Sequence, residues 1–286
     1  MIEKYIFVII GVFVIILIVK FPIYTEMVLK PYTYTTTHRG RLCNQIIRNL
    51  CVSIIAEKHD LFVEYSNHNK ICTLGIDLYL GKNDYSNNTI LSNNMFSIFN
   101  IQKKLRVTDV NYFCILNMRN LNSNLNPNFS YFQTKEISNF LVKYLHQDKV
   151  KNKIIIKNPF KDRYDNNDDC FIHVRLGDAE SYTPGLEYYL KALGLFKFNK
   201  LYISSDDINH QIIKNITKIH TVEILNYNEI QTIQFGSTCK NVVLSHGSFS
   251  AVIGYLSFFS NIYYKEYGEK NWHGDIFSIP FWNMVA

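Results

Sequence analysis

The sequence predicts an α/β protein built on parallel strands, and two observations carry that prediction. Short β-branched or aromatic runs alternate along the chain with longer segments whose apolar residues recur at helical spacing. The most distinctive polar residues fall just after those runs, at the strand ends where parallel sheets bind ligands. A third observation, an apolar run near the start, adds a single N-terminal transmembrane helix ahead of the α/β part.

That run is Tyr5 to Val19, thirteen of whose residues are Ile, Val, Phe or Leu. On the translocon scale such a run is worth about −4 to −8 kcal/mol. It is short for a full span, but Lys4 and Lys20 can snorkel and Phe21 to Tyr24 extend it. No small-residue cleavage site follows, so residues 1–30 read as an uncleaved anchor. The expected placement is a single-pass type II protein of the Golgi or secretory-pathway membrane with a lumenal catalytic domain. In that compartment the sequons at Asn87, Asn128 and Asn215 could carry glycans.

From Pro31 the alternation begins. Tyr32 to Thr37 is a strand, followed by the polar turn His38 to Arg41. Ile46, Ile47, Leu50, Cys51, Ile54 and Ile55 then line one helical face, and Leu61 to Tyr65 is the next strand. Residues 67–130 are polar and Asn-rich, with one or two strands expected around Leu105 to Leu116. Lys161 to Asp169, charged and polar, is the candidate linker, which divides the soluble part into lobes at 31–165 and 166–286. Beyond it the pattern is regular. Cys170 to Val174, Leu201 to Ser204, Thr221 to Leu225, Asn241 to Leu244 and Asn261 to Tyr264 are strands. Thr183-Pro184 should open one helix, Asp206 or Asp207 should cap another, and an apolar helix is expected over Ser250 to Phe259.

Composition excludes several classes. The 286 residues are 47% hydrophobic and 19% charged, with no low-complexity or acidic tract, so disorder is not expected. A net charge of +6 without a Lys/Arg block is mild for a nucleic-acid binder and suits a phosphate-bearing small ligand equally well. The six cysteines lack zinc-ligand spacing, and a mostly reduced state is expected. There is no Walker lysine loop, no G-x-G-x-x-G and no D-x-D pair, so no metal or resident cofactor is expected.

Three loops carry the polar chemistry: His173/Arg175/Asp178, Ser204/Ser205/Asp206 and Ser245/His246/Ser248. Arg175 offers a planar fork of donors suited to a pyrophosphate. Ser248 and the amides opening the following helix offer neutral donors to the same anion. Together they suggest a nucleotide-diphosphate site, in which preorganised donors stabilise a departing diphosphate.

Four segments resemble those of the α-1,2-fucosyltransferases, a glycosyltransferase family that uses GDP-fucose. Gly40-Arg41-Leu42-Cys43-Asn44-Gln45 is similar to the family's G-x-L-G-N-Q loop, and His173-Val174-Arg175-Leu176-Gly177-Asp178 to its H-x-R-R-x-D motif. Tyr202 to Asp207 resembles its F-S-D-D segment, and Ser245 to Ser250 its S-x-F-S stretch. The resemblance runs in order over about Thr33 to Phe259.

It implies a GT-B-like fold of two Rossmann-type lobes, with the second holding the GDP-sugar without metal and the first facing the acceptor. It implies an inverting transfer of fucose from GDP-fucose to a glycan hydroxyl. Arg175 would contact the diphosphate and be essential. Gly40, Asn44 and Gln45 would lie beside sugar and diphosphate, Ser205 and Asp206 near the nucleotide, and Ser248, Phe249 and Ser250 at the phosphates. Leu176 replaces the motif's second arginine and Cys43 replaces a glycine, which leaves other nucleotide sugars or a protein acceptor open. A non-catalytic glycan-binding protein is the other alternative.

The residues also have plainer readings. His173 is either a hydrogen-bonded structural histidine or a ligand contact, and Asp206 and Asp207 either cap a helix or touch the nucleotide. Asp178 and Glu180 are the nearest carboxylates for a general base acting on the acceptor hydroxyl.

Overall fold

The computed structural model describes residues 32–81, 104–121, 123–266 and 274–286. The chain divides into two compact units. One comprises residues up to Thr35 with Val52–Tyr65 and Tyr79–Phe129; the other comprises Thr36–Cys51, Ser66–Leu78 and Ser130–Ala286.

In the first unit, β1 (Tyr32–Tyr34) pairs in parallel with β2 (Phe62–Glu64). They are connected by α1 (Leu42–His59), whose residues from Val52 onward belong to this unit. This is the strand, helix, parallel-strand arrangement that the apolar periodicity requires. A second parallel pair, β3 (Leu105–Arg106) with β4 (Leu125–Asn126), is tied to β1 by the Leu125 amide donating to Thr33 Oγ1 at 2.8 Å. Tyr112–Leu116, inside the stretch expected as strand, forms the short helix α3; α2 is His68–Thr73 in the second unit.

The second unit is dominated by a six-stranded, wholly parallel sheet. Its strands are β5 (Cys170–Val174), β6 (Leu201–Ser205), β7 (Val222–Ile224), β8 (Asn241–Val243), β9 (Asn261–Tyr264) and β10 (Asn283–Met284). Their order is β10-β9-β8-β5-β6-β7. The chain runs outward from β5 through β6 to β7, then crosses back to β8 on the other side of β5. The strand order therefore reverses between β5 and β8, the place where sheets of this kind open a ligand crevice at their carboxyl ends. All five residues of β5 are buried, as a strand covered on both faces must be. Ile172, Val174, Leu201 and Ile203 pack with Tyr189, Ala192 and Leu193 of α6 (Leu186–Leu193) and Ile212, Ile213 and Ile216 of α7 (Gln211–Ile219). Helices α4 (Lys135–Leu145), α5 (Asp148–Lys157), α8 (Glu229–Gly236) and α9 (Gly247–Tyr255) complete the unit.

Several expectations need correction. The α/β class on parallel strands is as expected, with one six-stranded sheet and two two-stranded pairs among the described residues, but the transmembrane helix expected ahead of it is contradicted. Among those residues no helix is long and apolar enough to cross a membrane. The 18-residue α1 carries Arg48, Asn49, Glu57 and Lys58 along its length. The run Tyr5–Val19 lies outside the described residues, and the type II Golgi placement is withdrawn with the helix.

Smaller differences concern helix starts. Helix α6 begins at Leu186 after Gly185, not at Pro184. Helix α7 is capped by His210, whose Nδ1 accepts from the Ile212 amide at 3.2 Å, not by Asp206 or Asp207. Helix α9 begins at Gly247, three residues before its expected start. The stretch 161–169 is tied down: Arg163 pairs with Asp169 at 2.9 Å and lies 4.5 Å over the Phe235 ring. The six cysteines form no disulfide.

Candidate active site

The ends of β5, β6 and β8 come together where the strand order reverses, the place at which sheets of this kind open a crevice, and the loop opening α1 joins them, all within the second unit. The floor is a buried, uncharged hydrogen-bond lattice. Ser245 Oγ, with no exposed surface, accepts from the Arg175 amide at 3.1 Å and from the Tyr189 hydroxyl at 2.9 Å. Ser250 Oγ accepts from the Ser245 amide at 3.0 Å, which leaves its own O–H to meet His173 Nδ1 at 2.6 Å. The His173 ring packs 4.9 Å from that of Phe249. Burial first, then the Arg175 charge and His246, lower the His173 pKa to about 3, so its imidazole stays neutral at working pH. Tyr188 adds a bond from its hydroxyl to the Leu244 carbonyl at 2.7 Å, fastening α6 to the end of β8.

The rim is charged. Arg175 Nη1 is 2.8 Å from Asp206 Oδ2, and Arg175 Nη2 pairs with Asp178 Oδ1. Asp178 Oδ2 in turn receives Arg41 Nη2 at 2.8 Å. Asp206 is anchored as well by the Leu176 amide, which donates to Oδ1 at 2.7 Å. Gly177, at φ +42°, permits that approach, because a Cβ there would lie 2.7 Å from Asp206 Oδ2. The first turn of α9, Gly247 to Phe249, follows closely on β8 and carries amides that have no intrahelical acceptor. Ser248 lies in that turn and is 9% exposed.

The α1 loop supplies the other wall. Gly40 turns at φ +77°, and its carbonyl accepts from Gln45 Nε2 at 3.0 Å. The buried Gln45 also receives Asn67 Nδ2 at 2.7 Å. Asn44 Oδ1 accepts from Gln133 Nε2 at 2.6 Å. Cys43 sits inside α1 with ordinary helical neighbours and is 3% exposed, so its Cβ is accommodated without strain.

The structure thus gathers Arg175, Asp178, Asp206 and, through Arg41, the Gly40–Gln45 loop. It gives His173 and Ser250 internal partners in the floor. Ser205 Oγ accepts from the Asp207 amide at 3.1 Å in the turn after β6. Glu180 lies apart from the arginines, its Oε1 2.9 Å from His210 Nε2. Leu176, at the position of the resembled motif's second arginine, points into the core at 1% exposure. Sequence reasoning passed over Arg41, which lay inside the matched loop, and Gln133, for which no local signal exists. Among the described residues no group of three His, Cys, Asp or Glu side chains could hold a metal ion.

No protein-family model matches this chain, and no curated protein matches it by sequence. Among solved structures, the matches include POFUT1 in complex with GDP-fucose, at 10% identity and a TM-score of 0.40, covering 79% of this chain and 94% of that one. A likeness of that size says nothing about what this chain does.

Proposed function

We propose that the protein is a glycosyltransferase that draws a sugar from a nucleoside-diphosphate donor, with GDP-fucose the first donor to test and a glycan hydroxyl as acceptor. The observation that carries this reading is the adjacency of two loops at the point of strand-order reversal: the Arg175 backbone amide donates to Ser245 Oγ, which sets the loop bearing the Arg175 guanidinium beside the loop that opens α9. That combination suits a diphosphate: a planar cation on one side, backbone amides and the Ser248 hydroxyl on the other. The four sequence segments that resemble the α-1,2-fucosyltransferases lie around this crevice and support the same reading.

In this reading residues 166–286 hold the donor. Arg175, oriented by Asp206, stabilises the charge that develops on the leaving diphosphate. The Gly40–Gln45 loop, with Asn44, faces the sugar. The acceptor oxygen attacks the anomeric carbon from the side opposite the diphosphate as the glycosidic C–O bond breaks, and its proton passes to Glu180, the nearby carboxylate that is not held by the arginines.

The test begins with thermal unfolding of the full chain in GDP, UDP, CMP and ADP with EDTA present. A ligand at a hundred times its dissociation constant adds about 2.7 kcal/mol of stability. Selective stabilisation by GDP, followed by transfer from GDP-fucose, is the expected result. A response to another nucleoside diphosphate keeps the transferase and changes the donor, an outcome to which the buried Leu176 points. Arg175→Ala should lower turnover by about 10²-fold or more; near-normal turnover in that variant removes the proposal.

A further inference from the structure

Asp178 is held in an unusual way. Its two carboxylate oxygens go to two different arginines, Oδ2 to Arg41 from the loop before α1 and Oδ1 to Arg175 from the end of β5. Two guanidinium groups brought together on one small anion form a clamp, and the guanidinium fork fits carboxylate and phosphate oxygens alike. The second carboxylate on Arg175 is of another kind. Asp206 is 29% exposed and pinned by the Leu176 amide, with Gly177 packed against it, so it is part of the frame. The Asp178 carboxylate is 58% exposed, and its hydrogen bonds are to those two guanidinium groups. It can leave without breaking anything else.

We propose that Asp178 is an internal stand-in for the donor's diphosphate. It holds Arg41 and Arg175 converged in the ligand-free protein and swings out toward solvent when a nucleoside diphosphate takes its place. Arg41 is then the second arm of the anion clamp, and the affinity for donor is set by competition with a carboxylate of the same chain. Asp178 is the residue suited to this role: it lies in the 3₁₀ segment Gly177–Tyr182, which breaks helical geometry at Ala179 directly after it. An exchange of one anion for another also avoids leaving two like charges facing each other in an empty crevice. The inference rests on the crevice being a diphosphate site and adds to it a gate and a second cation.

The experiment is a calorimetric titration of the full chain and of its Asp178→Asn, Arg41→Ala and Arg175→Ala variants, with GDP and separately with inorganic pyrophosphate. Removing the competing carboxylate releases two exposed ion pairs from the ligand-free state, so Asp178→Asn should bind both anions about fivefold more tightly than the natural protein. Arg41→Ala should bind both about tenfold more weakly. If Asp178→Asn binds no more tightly than the natural protein while Arg175→Ala loses binding, the stand-in is overturned and the diphosphate reading survives. If neither anion binds the natural protein or Asp178→Asn, both fall. Asp178 is exposed, so the variant keeps its fold, and thermal unfolding of each sample checks this independently.

Discussion

The floor and the rim of the crevice are held by opposite kinds of interaction. In the floor, His173, Ser245, Ser250 and Tyr189 are nearly or fully buried and bond to one another and to backbone amides without any charge. At the rim, Arg41 and Asp178 are more than half exposed and bond through charge alone. The buried neutral groups hold the backbone in place, and the exposed charged groups are the ones accessible to a ligand. Buried neutral hydrogen bonds fix the ends of β5 and β8 without the desolvation penalty of buried ions. Exposed charges contribute little to stability and are free to exchange partners with a ligand.

Acid should weaken the floor more than any single substitution. The folded state keeps His173 neutral down to about pH 3, whereas the unfolded chain protonates it near 6.5. The unfolded state therefore binds more protons between those values, and stability is expected to fall as pH is lowered through that window. The loss reaches at most about 5 kcal/mol, the size of a shift of this magnitude. Urea unfolding at a series of pH values should show the slope in the natural protein and a clearly shallower one in His173→Gln; equal slopes would mean that the floor does not hold His173 neutral.

A smaller effect is expected from Ser250→Ala. It leaves the Ser245 amide and His173 Nδ1 without their partner, at a cost of about 1–3 kcal/mol for each buried group left unpaired. The unfolding midpoint should drop while the folded fraction still binds nucleotide, because Ser250 is fully buried. Lost affinity with unchanged stability would instead place Ser250 among the binding groups. The smallest effect is expected at the edge of the rim. Gly40→Ala forces a Cβ to within 2.3 Å of the Asn44 side chain at a positive φ. It should destabilise by about 1–2 kcal/mol and weaken donor binding more than it lowers stability; the reverse ranking would make the Gly40 turn a purely structural feature.

Much of the second unit was legible in the sequence. Cys170–Val174 and Asn261–Tyr264 are strands at the expected residues, because an unbroken apolar or aromatic run between polar turns has few other uses in a parallel sheet. The segments that read poorly share a physical cause. Asp206 looks like a helix cap by type and position, yet its carboxylate is drawn to the Leu176 amide and to Arg175, which come from the neighbouring strand. The cap passes to His210, a residue seldom credited with that role. Thr183-Pro184 reads as a helix start by the same local rules, but the helix waits for Gly185 at φ +85°. Around Leu105 to Leu116 the apolar run is short, and short runs do not distinguish strand from helix.

Side-chain periodicity and turn residues, which are local properties, were enough to read the alternation of strands and helices over Cys170–Tyr264 and to put Arg175 and Ser245 just past strand ends. Tertiary structure alone decided that β5 and β8 are neighbours, that Leu176 is buried and that Arg41 and Arg175 close on one carboxylate. Those facts depend on contacts between residues far apart in the chain, and local propensity holds no information about which distant partner the folded protein brings near.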